Sequence, residues 1–153
     1  MYIEEHLEQL GIRLPTLAAP TASYLPCRRT GNLLFLSGQG TMFQGERLYC
    51  GRVGSDVSVS EAYQAARLCG INLLARLKSE IGDLDRVTKI VNLRGYVNST
   101  VNFFDQPGVI NGASDLMLEV FGRDIGAHSR TAVGVYCLPN NISVEVELVV
   151  EIS

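Results

Sequence analysis

The sequence predicts an α+β fold in which two main helices pack on one face of a largely antiparallel sheet. Segments with strand and helix character follow in the order β-β-β-α-β-α-β-β, preceded by a short N-terminal helix. The first long helical segment repeats apolar side chains at helical spacing, which indicates one buried face. The last strand alternates apolar and mostly acidic residues, as a strand with one face in the core does. Strands grouped around two helices fit one helical layer on one sheet.

The N-terminal third is expected to hold a short helix and a meander of strands. Ile3, Leu7 and Leu10 recur at helical spacing, and Gly11 suits a glycine cap at the end of that helix. Turn residues then separate three short segments with strand character, which predicts a small antiparallel meander. Its strands are expected at 24–25, 32–39 and 47–53.

A capping box marks the beginning of the first main helix. The Ser58 hydroxyl can accept a hydrogen bond from the Glu61 backbone N–H while the Glu61 carboxylate reaches back to Ser58. The apolar stripe then continues for about 20 residues to Ile81, where Gly82 ends the helix, and we expect the stripe to cover the sheet. A strand rich in β-branched and aromatic residues follows, and then the second main helix. These two elements are expected at 87–97 and from about 107 or 108 to Phe121, with a loop at 122–129.

The C-terminal segment predicts a hairpin of two strands, 130–138 and 143–152, joined by a turn. If Leu138 pairs with Ser143, the alternate apolar residues from Val144 to Ile152 face the core. The opposite face then carries the glutamates of the last strand together with Arg130, Ala132, Gly134 and Tyr136.

That second face predicts an oligomer. Its small residues, Ala132 and Gly134, suit the close approach of another surface. In this register Arg130 and Glu145 lie about six residues, or roughly 20 Å, apart within one chain. A single small-molecule site that uses both residues would therefore have to lie between subunits, and catalysis would require assembly.

Composition favours one folded domain over residues 1–153. Hydrophobic residues make up 46% of the chain and charged residues 19%, which excludes a disordered protein. Thirteen Lys and Arg against 16 Asp and Glu give a net charge of -3, and no basic run extends beyond Arg28 and Arg29. Nucleic acid is therefore a disfavoured partner, because phosphate backbones are bound by clusters of positive charge.

The cysteines favour a reduced, cytoplasmic setting without a metal. Cys27, Cys50, Cys69 and Cys137 lie far apart, and none of them belongs to a CxxC motif. The N-terminus is acidic and amphipathic, unlike a signal or transit peptide. No apolar stretch approaches the roughly 20 residues of a membrane span, so we expect no membrane segment.

Several motifs together resemble the YjgF/RidA family, also called the L-PSP endoribonuclease-like family. They are Tyr24, Ser37 within the run 36–39, Asn111 after Ile110, and the segment 129–139 followed by 144–147. The stretch 105–115 and the N-terminal helix resemble more narrowly a branch of that family named for endoribonucleases. The resemblance covers most of the chain, and it implies a chorismate-mutase-like fold and a homotrimer.

The same resemblance implies an enamine/imine deaminase, a hydrolase that converts reactive 2-aminoacrylate-type intermediates to 2-oxo acids and ammonia without a cofactor. Arg130 would hold the substrate carboxylate, and Glu145 would position or activate water. Tyr24, Ser37 and Asn111 would line the cleft between subunits. A guanidinium holds a carboxylate through two parallel charge-assisted bonds, and a carboxylate facing water can act as a general acid or base.

The sequence departs from the well-studied deaminases at three places near Arg130. Ala132 stands where they often have cysteine, which removes any thiol role but leaves its backbone N–H or C=O as a substrate contact. Ser129 replaces a small residue or proline, and the loop 122–128 is longer than in the family pattern. His128 lies in that loop, where an imidazole that entered the cleft would titrate near neutral pH.

Each site residue also has a purely structural interpretation. Arg130 could pair with Glu151 across the hairpin in an exposed ion pair. For the remaining residues the structural roles are a packed aromatic at Tyr24, turn chemistry at Ser37, a helix cap at Asn111, a polar strand residue at Glu145 and a loop histidine at His128.

Two other functions compete with the deaminase. The Arg130 site could belong to a non-catalytic module that binds a small carboxylate metabolite, and Glu145 separates the two because only hydrolysis needs it. A ribonuclease, as in the family's older name, is disfavoured by the charge and by the lack of a histidine pair placed for acid–base cleavage.

Overall fold

Two long helices and a five-stranded sheet form the two layers of the fold. The computed structural model describes residues 2–153. The strands of the sheet are β1 (Cys27–Thr30), β2 (Leu33–Gln39), β5 (Val87–Asn98), β6 (Ser129–Val135) and β7 (Val144–Ile152), while β3 (Met42–Phe43) and β4 (Glu46–Arg47) form a separate ribbon. The helices are α1 (Ile3–Gln9), α2 (Val59–Ile81) and α3 (Gln106–Gly126), with 3-10 turns at Leu84–Arg86 and Pro139–Asn141.

The sheet is mixed but largely antiparallel. Its strand order is β1-β2-β7-β5-β6, and only β5 and β6 run parallel. Helices α2 and α3 pack on each other and on one face of the sheet, and their buried side chains join those of β5 and β7 in one core. The predicted α+β class, with two main helices on one face and a short N-terminal helix, is confirmed.

The predicted C-terminal hairpin is wrong. Strands β6 and β7 do not pair with each other, because β5 lies between them: β6 is its parallel neighbour and β7 its antiparallel neighbour. The segment 136–143 is long enough to pass over the end of β5, and Ile142 forms a bridge to Cys50 on the way. Strands β5 and β6 are connected by a crossover through α3, which is the kind of connection that two parallel neighbouring strands need.

The topology also changes which face Arg130 occupies. In β7, Val144, Val146, Leu148, Val150 and Ile152 are buried against the helices, as predicted. In β6, however, Arg130 is level with the buried Leu93 of β5, so its side chain points to the helical layer. The prediction that Arg130, Ala132 and Gly134 share the face of the β7 glutamates is therefore wrong.

The main helices begin close to the expected residues, but α3 resumes after a break and runs to Gly126, so the expected loop at 122–129 is reduced to residues 127–128. The Ser58 Oγ accepts a 3.2 Å bond from the Glu61 N–H, and the Glu61 Oε2 accepts a 2.9 Å bond from the Ser58 N–H, which confirms the capping box. Helix α3 begins one residue before the expected start, after Asp105, whose Oδ1 accepts the Gly108 N–H at 3.0 Å. Its helical geometry breaks at Gly122, which has φ 72° and ψ 173°.

Helix α1 is tied to the rest of the chain by side chain to backbone bonds. Asp85 Oδ1 accepts the Ile3 N–H at 2.9 Å, and Glu4 Oε1 accepts the Leu84 N–H at 3.1 Å.

The predicted meander is present in part. Strands β1 and β2 pair, but 24–25 forms no strand, and 47–53 contributes only the end of β4 and isolated bridges. Within residues 2–153, no helix combines the length and the apolar character that crossing a bilayer takes.

Candidate functional site

Glu145 lies on the open face of the sheet, at the edge of a cavity. The cavity has a volume of about 580 Å³ and lies where the β2 bulge, the segment after β2 and the 139–142 turn meet. Its lining includes three of the predicted site residues, Tyr24, Ser37 and Glu145. The structure therefore brings half of the predicted site together within one chain.

The Glu145 carboxylate differs from the other glutamates of β7 in having no hydrogen-bond partner among residues 2–153. Glu147 accepts from Arg94 at 3.2 Å and from the Tyr96 hydroxyl at 2.8 Å, and Glu151 accepts from Thr88 at 2.7 Å. Burial, and then the neighbouring charge of Glu147, raise the pKa of Glu145 above its ordinary value. A half-buried carboxylate with a raised pKa and no partner is suited to exchange a proton with a substrate or water.

Gly38 leaves the space that the Glu145 side chain occupies. A Cβ atom at residue 38 would lie 2.7 Å from Glu145 Oε1 and 3.0 Å from its carboxyl carbon. The bulge in β2 between Leu36 and Gln39 brings the Gly38 backbone to this position opposite β7. The local backbone and the missing side chain together let the carboxylate lie across the edge of the cavity.

Both Tyr24 and Ser37 line that cavity, but only the Ser37 side chain is fixed by a hydrogen bond among residues 2–153. The Ser37 Oγ donates a 2.7 Å bond to the Leu25 carbonyl, so the hydroxyl ties the segment before β1 to β2. Tyr24 is 55% exposed, which contradicts its interpretation as a packed aromatic. Thr41 also lines the cavity and has a buried Oγ1 without a hydrogen-bond partner within residues 2–153, a feature with no signal in the sequence.

Arg130 belongs to a second group of side chains, on the helical side of β6. Its Nη1 donates to Asn111 Oδ1 at 2.6 Å and to Ser114 Oγ at 3.3 Å. Both acceptors lie on α3, one turn apart and on the same side of the helix. The interpretation of Arg130 as a partner of Glu151 is therefore wrong, and so is that of Asn111 as a helix cap, because Asp105 caps α3.

One edge of the Arg130 guanidinium makes no hydrogen bond within the described residues and is available to bind a ligand. Within the described chain, both hydrogen bonds of this side chain come from Nη1, which leaves the Nε–H and Nη2–H donors free. These two donors form the fork that matches a carboxylate in a bidentate pair. Ala132, two residues along β6, packs against the core and is half-buried beside this group.

His128 and Ser114 complete the Arg130 group. The His128 Nε2 lies 2.9 Å from Ser114 Oγ, and its Nδ1 lies 2.7 Å from the Gly126 carbonyl oxygen. His128 is in a loop, as the sequence indicates, but its ring is engaged by hydrogen bonds. Ser114 was not predicted, although its spacing of three residues from Asn111 on a helix was a usable signal.

The two groups are separated within one chain. Arg130 is level with Leu93 and Glu145 with Tyr96, so they lie three residues apart along β5 and on either side of it. This corresponds to about 10 Å along the strands and about 10 Å across them, shorter than the roughly 20 Å of the predicted hairpin. Because the side chains also point to opposite faces of the sheet, one chain does not bring them to one small ligand.

One cluster of side chains with the spacing of metal ligands lies outside both the Glu145 cavity and the Arg130 group. Among residues 2–153, the one group of His, Cys, Asp and Glu side chains close enough to share an ion is Glu4, Asp83 and Asp85. Each of these carboxylates accepts a backbone N–H, so the group has a structural explanation in fixing α1 and the 3-10 turn after α2.

Comparisons with known proteins agree with this fold. The family described as YjgF/chorismate mutase-like, putative endoribonuclease, matches residues 4–152. Protein TCP17 of Trypanosoma cruzi is 40% identical over 151 residues, which are 99% of this chain and 94% of that protein. The crystal structure of Atu1372 from Agrobacterium tumefaciens, of unknown function, has 44% identity and a TM-score of 0.91 over 99% of this chain and 93% of its own. A structure from Shewanella oneidensis, described as a putative endoribonuclease, has 38% identity and a TM-score of 0.95, and the match covers 99% and 100% of the two chains.

Proposed function

Because the chain belongs to the YjgF/chorismate mutase-like, putative endoribonuclease family, we propose that it is an enamine/imine deaminase acting at clefts between the subunits of a homotrimer. The observation that carries the proposal is that the chain holds two complementary groups: a guanidinium with a carboxylate-binding edge and a half-buried carboxylate, both without a hydrogen-bond partner there among residues 2–153. Imines derived from amino acids present the matching features, a carboxylate and an adjacent C=N group.

In the proposed reaction, Arg130 binds the substrate carboxylate through its Nε–H and Nη2–H donors. An enamine such as 2-aminoacrylate first moves a proton from nitrogen to its terminal carbon and becomes the imine. Water then adds to the imine carbon, with one water proton taken up by Glu145 and the other retained on the new hydroxyl group. The imine reacts in its form protonated on nitrogen by solvent, and that nitrogen takes the C=N electron pair, which gives a neutral carbinolamine beside the protonated Glu145.

Release of ammonia completes the reaction. Glu145 returns its proton to the amino nitrogen, and the C–N bond breaks with its electron pair on nitrogen, which releases ammonia. The hydroxyl group gives its proton to this ammonia through solvent as the C=O bond of the 2-oxo acid forms, so the products are the 2-oxo acid and ammonium. A carboxylate that both takes and gives a proton works best when its pKa lies close to the working pH. The burial that raises the pKa of Glu145 favours this role.

An assembly is proposed because one chain holds the two groups apart, and the number of three subunits is what the resemblance to the YjgF/RidA family implies. Arg130 lies on the helical side of the edge strand β6, whereas Glu145 lies on the open face of β7. A cyclic assembly would place the Arg130 group of one subunit against the Glu145 cavity of the next, once per interface. The expected mass in solution, from light scattering, is that of three chains, and activity should fall on dilution into the dissociated range.

The test couples an imine-generating enzyme to the purified protein and follows the loss of the imine signal. Wild type should accelerate the loss, Arg130→Ala should raise the KM, and Glu145→Gln should abolish turnover while still binding a 2-oxo acid. Matched controls are Arg123→Ala, an exposed arginine at the end of α3, and Glu151→Gln, a glutamate on the same face of β7. Both control variants should react at the wild-type rate.

Two outcomes would replace the proposal. Binding of 2-oxo acids without acceleration of any amino-acid-derived imine would indicate the carboxylate-binding module. RNA cleavage that co-purifies with the protein and disappears in a point variant would indicate the ribonuclease of the family's older name. The net charge of -3 argues against the latter, because RNA backbones are bound by positive surfaces.

A further inference from the structure

Ser114, His128 and Arg130 form a continuous hydrogen-bonded row. The row runs from the Gly126 carbonyl through the imidazole to the Ser114 hydroxyl and on to the Arg130 Nη1, with separations of 2.7, 2.9 and 3.3 Å. Its members come from α3, from the loop after it and from β6. The break in α3 at Gly122 turns the chain so that residues 126–128 approach Ser114.

The direction of each hydrogen bond follows from the donors and acceptors. A carbonyl oxygen only accepts, so the Nδ1 of His128 carries the ring proton of the neutral imidazole. Its Nε2 is then an acceptor, and the Ser114 O–H must donate to it. The lone pairs of Ser114 Oγ therefore remain for the Arg130 Nη1, which has no capacity to accept.

This arrangement of hydrogen bonds holds the Arg130 guanidinium in place before any ligand binds. Ser114 Oγ and Asn111 Oδ1 accept hydrogen bonds from Nη1. Because the guanidinium is planar, its edge formed by Nε and Nη2 is then held in one orientation. Ser114 is 8% exposed, so its hydroxyl has little water to bond with if His128 is absent. Immobilising a side chain in its binding orientation removes an entropy cost that the ligand would otherwise meet.

We propose that Ser114 and His128 are positioning residues that orient Arg130 for carboxylate binding. The inference rests on the proposed function in one respect, that the ligand of Arg130 is a carboxylate. Neither side chain is required to touch the substrate, and both act through the guanidinium. The substrate class this favours is one with a planar carboxylate, because the fixed fork discriminates by geometry as well as charge.

The binding arm of the test uses pyruvate as the probe in calorimetric titration. Ser114→Ala and His128→Ala should weaken pyruvate binding about five- to tenfold, since each removes a hydrogen bond that supports a charged group. Ser114→Thr keeps a hydroxyl, and His128→Gln keeps an acceptor near the position of Nε2, so both should retain binding within about twofold of wild type. In the coupled imine assay the Ala variants should raise the KM by the same factor and leave kcat nearly unchanged, because the carboxylate is held in both ground and transition state.

The second arm needs no ligand and separates this inference from the proposed function. In 15N NMR spectra of the folded protein, the Arg130 Nη protons should be resolved in wild type and averaged by rotation in Ser114→Ala and His128→Ala. If wild type binds no pyruvate and hydrolyses no imine, the proposed function fails, and these signals still decide the role of Ser114 and His128. Unchanged Arg130 signals in both Ala variants, or pyruvate binding by both at wild-type strength, would overturn the positioning role.

Discussion

Gly38 and Glu145 lie so close across β2 and β7 that a Cβ atom on residue 38 would be 2.7 Å from Glu145 Oε1. The neighbour is the end of a flexible side chain, so Gly38→Ala should fold but should displace the carboxylate. A displacement of about 1 Å at a reacting group costs roughly 10- to 100-fold in rate. We expect kcat/KM in the imine assay to fall by about this factor, with the melting temperature close to that of wild type.

Gly40→Ala is the matched control for this change. Its Cβ would meet the Ile142 Cδ1 at 2.6 Å, an equally tight contact that does not involve Glu145. Its activity should fall much less than that of Gly38→Ala. Equal losses in the two variants would mean that crowding of the cavity, and not displacement of the carboxylate, limits the reaction.

The charge of Glu147 should set where the acid limb of the pH profile lies. After burial, the negative charge of Glu147 is the second cause that raises the Glu145 pKa. Glu147→Gln removes that charge, so the Glu145 pKa falls and the ionised form persists to lower pH. If water activation needs ionised Glu145, kcat/KM declines as pH falls through this pKa, and the acid limb should move to lower pH in the variant. Profiles of wild type, Glu147→Gln and the more distant Glu151→Gln check this, and a limb that stays in place or moves upward would contradict it.

Gly112 permits the close contact of the two long helices. A Cβ atom there would overlap the backbone carbonyl of Tyr63, which has no freedom to move aside. Gly112→Ala should therefore destabilise the protein by about 1–3 kcal/mol in urea unfolding, despite the better helix propensity of alanine. In Gly70→Ala the new atom would meet the tip of the Leu116 side chain, which can rotate, so the loss should be smaller. Equal stability of Gly112→Ala and wild type would show that the helices can separate at little cost.

The Cys27 thiol should react slowly with alkylating reagents. Burial, and then the charge of Glu80, raise the pKa of Cys27 to about 11, so little thiolate is present at neutral pH. At pH 8 we expect iodoacetamide to label Cys50, which is exposed, well before Cys27. Peptide mass spectrometry after a time course checks the order. Labelling of Cys27 at the rate of Cys50 would mean that the segment around β1 opens frequently.

The helices were predictable because the information that begins and ends them is local. Ser58 and Glu61 are three residues apart, and Gly82 and Gly122 end regular helical geometry at positive φ within the same stretch of chain. Alternation in β7 is equally local, so its buried face was predicted correctly. None of these features depends on which strand lies beside which.

Strand partners were not predictable from the same kind of information. A turn-rich segment at 139–141 between two strands favours a hairpin, yet β5, formed more than 30 residues earlier, takes the place between them. The error put Arg130 on the wrong face and hid its contact with Ser114, a residue on another element. Glu145 was predicted as a site residue only through a resemblance, because its lack of a hydrogen-bond partner among residues 2–153 is a property of the folded sheet.

The central position of β7 bears on how the chain folds as it is made. A nascent chain that has produced residues 2–143 contains every helix and every strand except the one that joins β2 to β5. Until β7 arrives, these two strands have an open edge and the apolar stripes of α2 and α3 lack part of their cover. Pairing across more than 100 residues between β2 and β7 is entropically costly to nucleate, so the sheet should assemble late and slowly, and partly synthesised chains are the species most exposed to aggregation and most in need of chaperones.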